Sequence, residues 1–248
     1  MRLVLPALAI IGLLVLASPG RPVVAQEGAS GGSVERGAEL FRVGCATCHG
    51  ARGEGIDPWP GIAGAGEAAA DFQLRTGRMP YTGEPGQQTQ PKPPAYDPDE
   101  IADLVAFVGS LGDGPAIPNV QTDDALLQQG YELFSVNCAP CHGATARGGA
   151  VGGGAIAWPL ASADPRTVGE AMLTGPGQMP VFDLGDESIA AVATYVEFLQ
   201  SSDDPGGFEI GGIGPVPEGF VAWLVGMGLL IGVVYLVGRR WDRTGHRS

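Results

Sequence analysis

Two pentapeptides, Cys45-Ala-Thr-Cys48-His49 and Cys138-Ala-Pro-Cys141-His142, contain all four cysteines and two of the three histidines of this 248-residue chain. The Cys-x-x-Cys-His pattern is the signature of covalent c-type haem attachment. Each thiol adds to one vinyl group of the porphyrin, and the histidine then lies under the ring and binds iron. We therefore predict two haem c groups, one at each pentapeptide. The predicted attachment residues are Cys45, Cys48, Cys138 and Cys141, and the predicted iron ligands are His49 and His142.

Two other uses of a Cys-x-x-Cys pair agree less well with the sequence. A shared zinc site would take four ligands from the two motifs, but a zinc knuckle gives no reason for a histidine at the same place in both copies. A thioredoxin-like dithiol usually opens a helix in a βαβ unit, and no strand pattern surrounds either motif. Haem attachment accounts for both histidines.

The repeat extends beyond the pentapeptides. Gly37-Ala-Glu-Leu-Phe41 precedes the first motif and Gly130-Tyr-Glu-Leu-Phe134 precedes the second, 93 residues later. The motif cysteines have the same separation, so the repeated unit is a domain. Helical apolar spacing at residues 33–43 and 123–136 predicts a helix before each motif.

A second helix is predicted at the end of each unit. Acidic residues at 97–100 and 185–187 suit a helix N-terminus, and they precede apolar segments at 101–111 and 188–199. We expect the first and last helices of each unit to pack against one another beside the haem.

The segments between these helices are rich in Gly, Pro and Ala. Residues 50–70 and 143–165 are therefore expected to contain little regular structure. Domains of about 80 residues with so few large side chains bury a thin core, so the porphyrin must supply much of the apolar centre.

Methionines are the candidates for the sixth iron ligand. Met79 and Met179 each follow a nearby Thr-Gly pair, precede a proline and fall 30 and 37 residues after their motif histidines. The proline restrains the backbone beside the thioether, and His/Met ligation closes the iron and raises its potential. We predict Met79 and Met179 as axial ligands. Met172 is expected to pack within a helix, and Met227 lies in an apolar segment near the C-terminus.

Each motif histidine also needs an acceptor for its other ring nitrogen, commonly a backbone carbonyl. Pro60, within Trp59-Pro60, is the candidate for the first unit. The segment Trp158-Pro159-Leu160 is similar in the second unit, although its spacing from the histidine differs.

Two apolar segments concern the membrane. Residues 3–17, followed by small residues around Ala25, predict a secretory signal peptide over residues 1–25; cleavage is favoured, with an uncleaved anchor as the alternative. Residues 220–237 carry no charge and are long enough to span a bilayer, and a buried core helix is the alternative. Arginines follow this second segment, so the positive-inside rule predicts a cytoplasmic C-terminus with the haem motifs outside. These arginines are Arg239, Arg240, Arg243 and Arg247.

The charge is unevenly distributed. The chain has a net charge of −13, whereas residues 26–219 contain 8 basic and 26 acidic residues and carry −18. Such a surface disfavours binding to nucleic acid or anionic lipid headgroups. It is compatible with a neutral or basic partner, or with a solvated acidic face that binds nothing.

Taken together, the two motifs, the Met-Pro pairs, the segment Gly-Gly-Ile213-Gly-Pro-Val-Pro-Glu-Gly219 and the C-terminal span resemble the dihaem cytochrome c subunit of the actinobacterial-type cytochrome bc complex. The likeness runs over nearly the whole chain, and the linker and anchor carry its specificity. It implies a mainly α fold with two tandem class I cytochrome c domains and one C-terminal transmembrane helix. The predicted order is signal peptide 1–25, first domain 33–112, linker 113–120, second domain 121–201, acidic Gly-Pro linker 202–219, transmembrane helix 220–238 and cytoplasmic basic tail 239–248.

The same resemblance implies a function. Such a subunit works beside cytochrome b in a quinol–cytochrome c reductase of translocase type. It takes electrons from a Rieske iron–sulfur protein and passes them to a terminal cytochrome oxidase, with no substrate site of its own.

Three other functions remain to be weighed. A dihaem subunit of another membrane dehydrogenase or oxidase would share most of these features. A dihaem peroxidase needs an open iron position, and the remaining histidine, His246, follows the membrane span and is on the wrong side. A haem-based sensor would require displacement of Met79 or Met179 by a gas ligand.

Overall fold

The computed structural model describes residues 31–202 and 215–245. The predicted signal peptide 1–25, most of the linker predicted at 202–219 and the last three residues, which include His246, lie outside this description.

The first unit begins and ends with a capped helix. Helix α1, Val34–Gly44, starts at Ser33, whose side chain accepts a hydrogen bond from the Arg36 amide. After the single turn α2, Ala46–His49, and helix α3, Gly66–Arg75, the unit closes with α4, Pro98–Gly109. Asp97 and Glu100 form a reciprocal capping box at the start of α4. Both predicted terminal helices are confirmed.

Helices α1 and α4 approach closely where Gly37 lies. A Cβ atom added to Gly37 would lie 2.0 Å from the carbonyl oxygen of Asp103. One turn further along, the rings of Phe41 and Phe107 pack with centroids 5.0 Å apart. The Arg36 guanidinium donates to the nearly buried Asp103 carboxylate at 2.7 Å and fixes the outer end of the crossing.

The second unit repeats this crossing. A 3₁₀ turn, Asp124–Leu126, leads into α5, Leu127–Asn137, and the motif turn α6, Ala139–His142, follows directly. The closing helix is α8, Asp186–Ser201. A Cβ atom on Gly130 would lie 2.0 Å from the carbonyl oxygen of Ala191, and the Phe134 and Tyr195 rings lie 5.3 Å apart. In both units, therefore, the glycine lies at the close helix crossing and the phenylalanine packs against an aromatic ring of the closing helix.

The middle segments contain more regular structure than we expected. Helix α3 begins within residues 50–70, and a β-hairpin of β1, Gly149–Gly152, and β2, Ala155–Ala157, lies within residues 143–165. The expectation of little regular structure is wrong at these two places. The hairpin has mostly Gly and Ala, so it lacks the alternation of polar and apolar residues that identifies a strand. It turns at Gly153 and Gly154, both with positive φ, which tight hairpin turns require.

Helix α7, Pro165–Thr174, precedes α8 in the second unit. It carries Met172, which is 2% exposed in the core of that unit. The prediction that Met172 packs within a helix is confirmed.

The C-terminal helix α9 runs from Pro215 to Gly245. Its segment Gly219–Arg240 has a mean hydropathy of 2.4, and every side chain in that segment is exposed. An apolar helix with no protein around it is not a core helix. Within the described part of the chain, it is the single helix long and apolar enough to cross a membrane.

The helix crossing gives a test of packing. Gly130→Ala should lower the free energy of unfolding by about 1–3 kcal/mol, because the new methyl group meets the backbone of α8. Intrinsic helix propensity alone would favour alanine by about 1 kcal/mol. Urea unfolding of the detergent-solubilised protein measures the change.

The matched control is Ser135→Ala, at an exposed position of the same helix. It should unfold like the wild type. A Gly130→Ala protein as stable as the wild type would contradict the close crossing.

Candidate haem sites

Each Cys-x-x-Cys-His motif is a single helical turn attached to the end of the unit's first helix. The Cys45 amide donates to the Phe41 carbonyl at 2.8 Å, and the His49 amide donates to the Cys45 carbonyl at 3.0 Å. Residues three positions apart on a helix lie on the same side, so the turn presents both cysteines of the motif together. Gly50 then leaves the turn with a φ of 78°, which a residue with a side chain rarely adopts.

The second motif has the same local geometry. The Cys138 amide donates to the Phe134 carbonyl at 2.8 Å, and the His142 amide donates to the Cys138 carbonyl at 2.8 Å. Gly143 ends the turn with a φ of 77°. The duplication is therefore exact to the level of backbone hydrogen bonds around each candidate histidine.

Both motif histidines bind a backbone carbonyl through Nδ1. The His49 Nδ1 lies 2.9 Å from the Pro60 carbonyl oxygen, as predicted. The His142 Nδ1 lies 3.0 Å from the carbonyl oxygen of Trp158, the residue before Pro159. A carbonyl only accepts, so Nδ1 carries the proton in each ring and Nε2 is left with a free lone pair for a metal.

The hairpin explains the different spacing of the second carbonyl. Pro60 follows His49 by 11 residues, whereas Trp158 follows His142 by 16. Strands β1 and β2 lie within this longer interval. Burial lowers the pKa of His142, although the bond to the Trp158 carbonyl raises it.

The thiols do not have the properties of a reactive dithiol. Burial, and secondarily the neighbouring thiol, raise the pKa of Cys45 to about 11. The same causes raise the pKa of Cys138 to about 11. Redox-active Cys-x-x-Cys pairs have a lowered thiol pKa. The environment of these cysteines therefore does not favour dithiol chemistry.

In the second unit, all four candidate haem residues line one cavity of about 440 Å³. This volume is within the usual range for cofactor pockets. Its walls are largely apolar and include Phe134, Val168 and Val196. The four candidates that it brings together are Cys138, Cys141, His142 and Met179.

In the first unit, Cys45 and Met79 pack against the same apolar cluster, which includes Phe41 and Leu104. Cys138 and Met179 pack against the corresponding cluster of the second unit. Cys48 and His49 are half-buried. The attachment turn and the methionine thus border one core in each unit.

The comparisons with known proteins agree with this duplicated plan. A family profile described as "Cytochrome c" matches residues 34–112, and one described as "Cytochrome C oxidase, cbb3-type, subunit III" matches residues 125–196. The "Cytochrome bc1 complex cytochrome c subunit" of Mycobacterium tuberculosis is 37% identical over 244 residues, which cover 92% of this chain and 86% of that protein. This chain belongs to that subunit family.

Two further relatives define the breadth of the similarity. The subunit of the same name from Corynebacterium diphtheriae is 34% identical and covers 92% of this chain and 89% of its own length. The "Cbb3-type cytochrome c oxidase subunit FixP" of Sinorhizobium medicae is 29% identical and covers 67% of this chain and 61% of its own length.

The suspected family is therefore confirmed. The chain consists of two cytochrome c domains and one candidate transmembrane helix, and it is a cytochrome c electron-transfer subunit with covalently bound haem c. From here the two units are called the first and second cytochrome domains.

One part of the second site leaves no signal in the sequence: residues of the first cytochrome domain line the second domain's cavity. Phe72, Thr76, Arg78 and Lys92 all contribute to its wall. The Gln88 side chain binds the backbone of β2 at Ile156. Its Nε2 donates to the Ile156 carbonyl at 2.8 Å, and its Oε1 accepts from the Ile156 amide at 2.9 Å. No repeat or spacing in the sequence indicates which residues cross between domains.

Ion pairs between α3 and α7 hold the two cytochrome domains together. Arg75 on α3 contacts Asp71 at 2.6 Å, Asp164 at 3.1 Å and Glu170 at 3.4 Å. Arg166 on α7 contacts Asp71 at 2.8 Å and Glu170 at 3.0 Å. We call these five residues the interdomain ion-pair cluster.

Two carboxylates of the interdomain ion-pair cluster are buried. The side chains of Asp71 and Glu170 are 4% and 0% exposed. Burial and the nearby Asp71 raise the pKa of Glu170 to about 8, although the hydrogen bond from Arg166 lowers it. Glu170 therefore holds its proton to a higher pH than an exposed glutamate does.

This raised pKa predicts a pH dependence of stability. Between the ordinary value of 4.5 and about 8, the folded chain holds a proton on Glu170 that the unfolded chain releases. The free energy of unfolding should therefore fall as pH rises through this window, by on the order of a few kcal/mol. Glu170→Gln should remove this slope while leaving stability near pH 5 almost unchanged.

Urea unfolding at several pH values measures the effect in the full-length protein. Glu39→Gln, at an exposed position of α1, is the control and should retain the wild-type slope. Equal slopes in the Glu170→Gln and wild-type proteins would show that Glu170 releases its proton at its ordinary pKa.

Proposed function

We propose that this chain is a membrane-anchored dihaem subunit of a cytochrome bc complex, and that it relays electrons from a Rieske iron–sulfur protein towards a terminal cytochrome oxidase. The observation that carries the proposal is the similarity of 92% of the chain to cytochrome bc1 complex cytochrome c subunits. Its partners would be cytochrome b, the Rieske protein and the oxidase. The complex would be a translocase-type quinol–cytochrome c reductase, and this subunit would have no substrate site.

Each cytochrome domain would hold one haem c. Each haem would supply an iron that gains and loses one electron. In the first domain Cys45 and Cys48 would hold the porphyrin, and His49 and Met79 would bind the iron. In the second domain the corresponding residues are Cys138, Cys141, His142 and Met179.

The observed residues fit this group. The apolar cavity that contains Cys138, His142 and Met179 suits a flat hydrophobic ring. Trp158 lines the same cavity, and its indole Nε1 is buried and has no hydrogen-bond partner among the described residues. A haem carboxylate would give this N–H an acceptor.

The histidines and methionines would set the behaviour of the iron. A backbone carbonyl accepts a hydrogen bond from Nδ1 of His49 and another from Nδ1 of His142. This bond fixes the orientation of each ring and would make Nε2 a stronger electron-pair donor to iron. Met79 and Met179, as iron ligands, would favour the reduced state and would exclude peroxide or a gas from the iron. This closed coordination supports electron relay over peroxidase or sensor chemistry.

The membrane orientation is also a proposal. The apolar segment Gly219–Arg240 would cross the bilayer once, and the arginines after it would keep the C-terminus in the cytoplasm. Both haem domains would then lie on the outer face, where covalent haem attachment takes place. The acidic charge of −18 over residues 26–219 would be exposed on that side.

A second candidate function has support from the second domain. The profile for subunit III of cbb3-type oxidase matches residues 125–196, and the FixP relative covers two thirds of the chain. The chain could on that basis be a dihaem subunit of another membrane oxidase or dehydrogenase.

Co-purification separates these two functions. An affinity tag on the chain, used on gently solubilised native membranes, should recover cytochrome b and a Rieske protein in fixed proportion to the chain. Mass spectrometry identifies both, and quinol-dependent reduction of the haem c confirms that they are connected. Recovery of an oxidase or dehydrogenase with neither cytochrome b nor the Rieske protein would replace the proposed function with the second one.

Replacement of the sixth ligands tests the two iron sites. Met79→His and Met179→His should each lower one reduction potential by on the order of 0.1 V, a fraction of the roughly 0.8 V range that ligands and surroundings set in haem proteins. Spectroelectrochemical titration of the purified protein measures both potentials. Met172→Leu, a change in the core that conserves volume, should leave both in place. A methionine variant with unchanged potentials would eliminate that methionine as a ligand.

A further inference from the structure

Arg78 is a buried cation without an ionic partner. It is 9% exposed. Within residues 31–202 it makes neither a hydrogen bond nor an ion pair, and its recorded contact is with the Phe72 ring, 4.6 Å from the guanidinium carbon to the ring centroid. A contact with an aromatic face offsets part of the cost of burying a charge, but a buried guanidinium normally also has a carboxylate or carbonyl acceptor.

The other basic residues of the same cavity do have partners. Arg75 belongs to the interdomain ion-pair cluster, and Lys92 donates to the Thr82 hydroxyl at 3.1 Å. Asp164, an acidic residue of the cavity wall, is already paired with Arg75. Nothing in the described wall therefore neutralises Arg78.

Arg78 lies on the second domain's cavity although it belongs to the first domain. It directly precedes Met79, which packs against the first domain's core. Arg78 itself lines the cavity that contains Cys138, Cys141 and His142. Cys45, Cys48 and His49 do not line that cavity.

A second donor, on a residue that lines this cavity, also lacks an acceptor in the described part of the chain. The Nε1–H of Trp158 is buried and unpaired in the described structure. Arg78 and Trp158 line one cavity, and one acceptor with negative charge would serve both the unpaired cation and the unpaired N–H, since buried donors are rarely left unsatisfied. The porphyrin of haem c carries two carboxylates at one edge, and they meet this requirement.

We propose that Arg78 of the first cytochrome domain pairs with a carboxylate of the haem attached to Cys138 and Cys141, and that the Trp158 N–H donates to the same edge of that haem. The first domain thereby completes the second haem site. This inference rests on the proposed function, because it requires a haem at the second motif. It adds that the potential of the second haem depends on a residue across the domain boundary.

The charge of Arg78 predicts the direction of the effect. A nearby cation disfavours the oxidised iron, which carries one more positive charge than the reduced iron. Removal of Arg78 also leaves the haem carboxylate uncompensated. Both effects lower the potential of the second haem.

The test uses the full-length haem-loaded protein. The two potentials are first assigned with the Met79→His and Met179→His proteins. At a fixed potential, Arg78→Met should then raise the ratio of oxidised to reduced second haem about tenfold. For a one-electron couple this corresponds to a fall of about 59 mV in the reduction potential of the second haem. The first haem should change less. Arg78→Lys should recover part of the difference, because it keeps the charge but loses the planar fork.

Arg147→Met is the matched control. Arg147 is an exposed arginine of the second domain and does not line the cavity, so its charge is screened by water and its loss should move neither potential appreciably. Trp158→Phe, which removes the unpaired N–H together with part of the indole ring, should lower the second potential by less than Arg78→Met.

Haem content per chain, measured for every protein, separates the possible failures. A wild-type chain with one haem contradicts the proposed function. If the chain holds two haems and Arg78→Met changes only the potential of the first haem, Arg78 pairs with a carboxylate of the first haem. That result would overturn the inference. Two haems with both potentials unchanged would overturn it as well. If Arg78→Met does not assemble, the same comparison is made with Arg78→Lys and Trp158→Phe, and unchanged potentials in both overturn the inference.

Discussion

The close crossing of the first and last helices in each cytochrome domain is the constraint on which the rest of the structure depends. At Gly37 and Gly130 the backbone of the first helix lies so close to the last helix that an added Cβ atom would collide with a backbone carbonyl oxygen of that helix. Any side chain at these positions would push the two helices apart. The attachment turns then begin directly at the ends of α1 and α5. Packing between the two helix backbones therefore sets the position of each haem-binding turn, and no contact with haem is needed for this.

Much of this plan could be predicted from the sequence because it depends on local signals. Caps, apolar spacing and the duplicated motifs identify the terminal helices, and the Trp59-Pro60 segment identifies the carbonyl that binds His49. The hairpin could not be predicted, because Gly and Ala give no alternation of polar and apolar residues. The wall that Arg78 and Gln88 build for the second site could not be predicted either, since it follows from domain packing and leaves no periodic signal.

Domain packing has a consequence for electron relay. The interdomain ion-pair cluster joins α3 to α7 through two arginines, each of which contacts Asp71 and Glu170. Such buried, multiply connected groups contribute little net stability compared with apolar packing, but they tolerate few alternative arrangements. Two haem sites held in this way would form one relay of fixed geometry. A relay of this kind would suit a subunit that a single helix anchors in the membrane.

Electron relay through both cytochrome domains requires one covalent haem in each, and mass spectrometry of the mature chain and of its proteolytic peptides detects both. We expect the intact chain to carry two haem groups. One should be found on the peptide that contains Cys45 and Cys48, and the other on the peptide that contains Cys138 and Cys141. A chain with a single haem, or either pair of cysteines recovered as free thiols, would contradict the account.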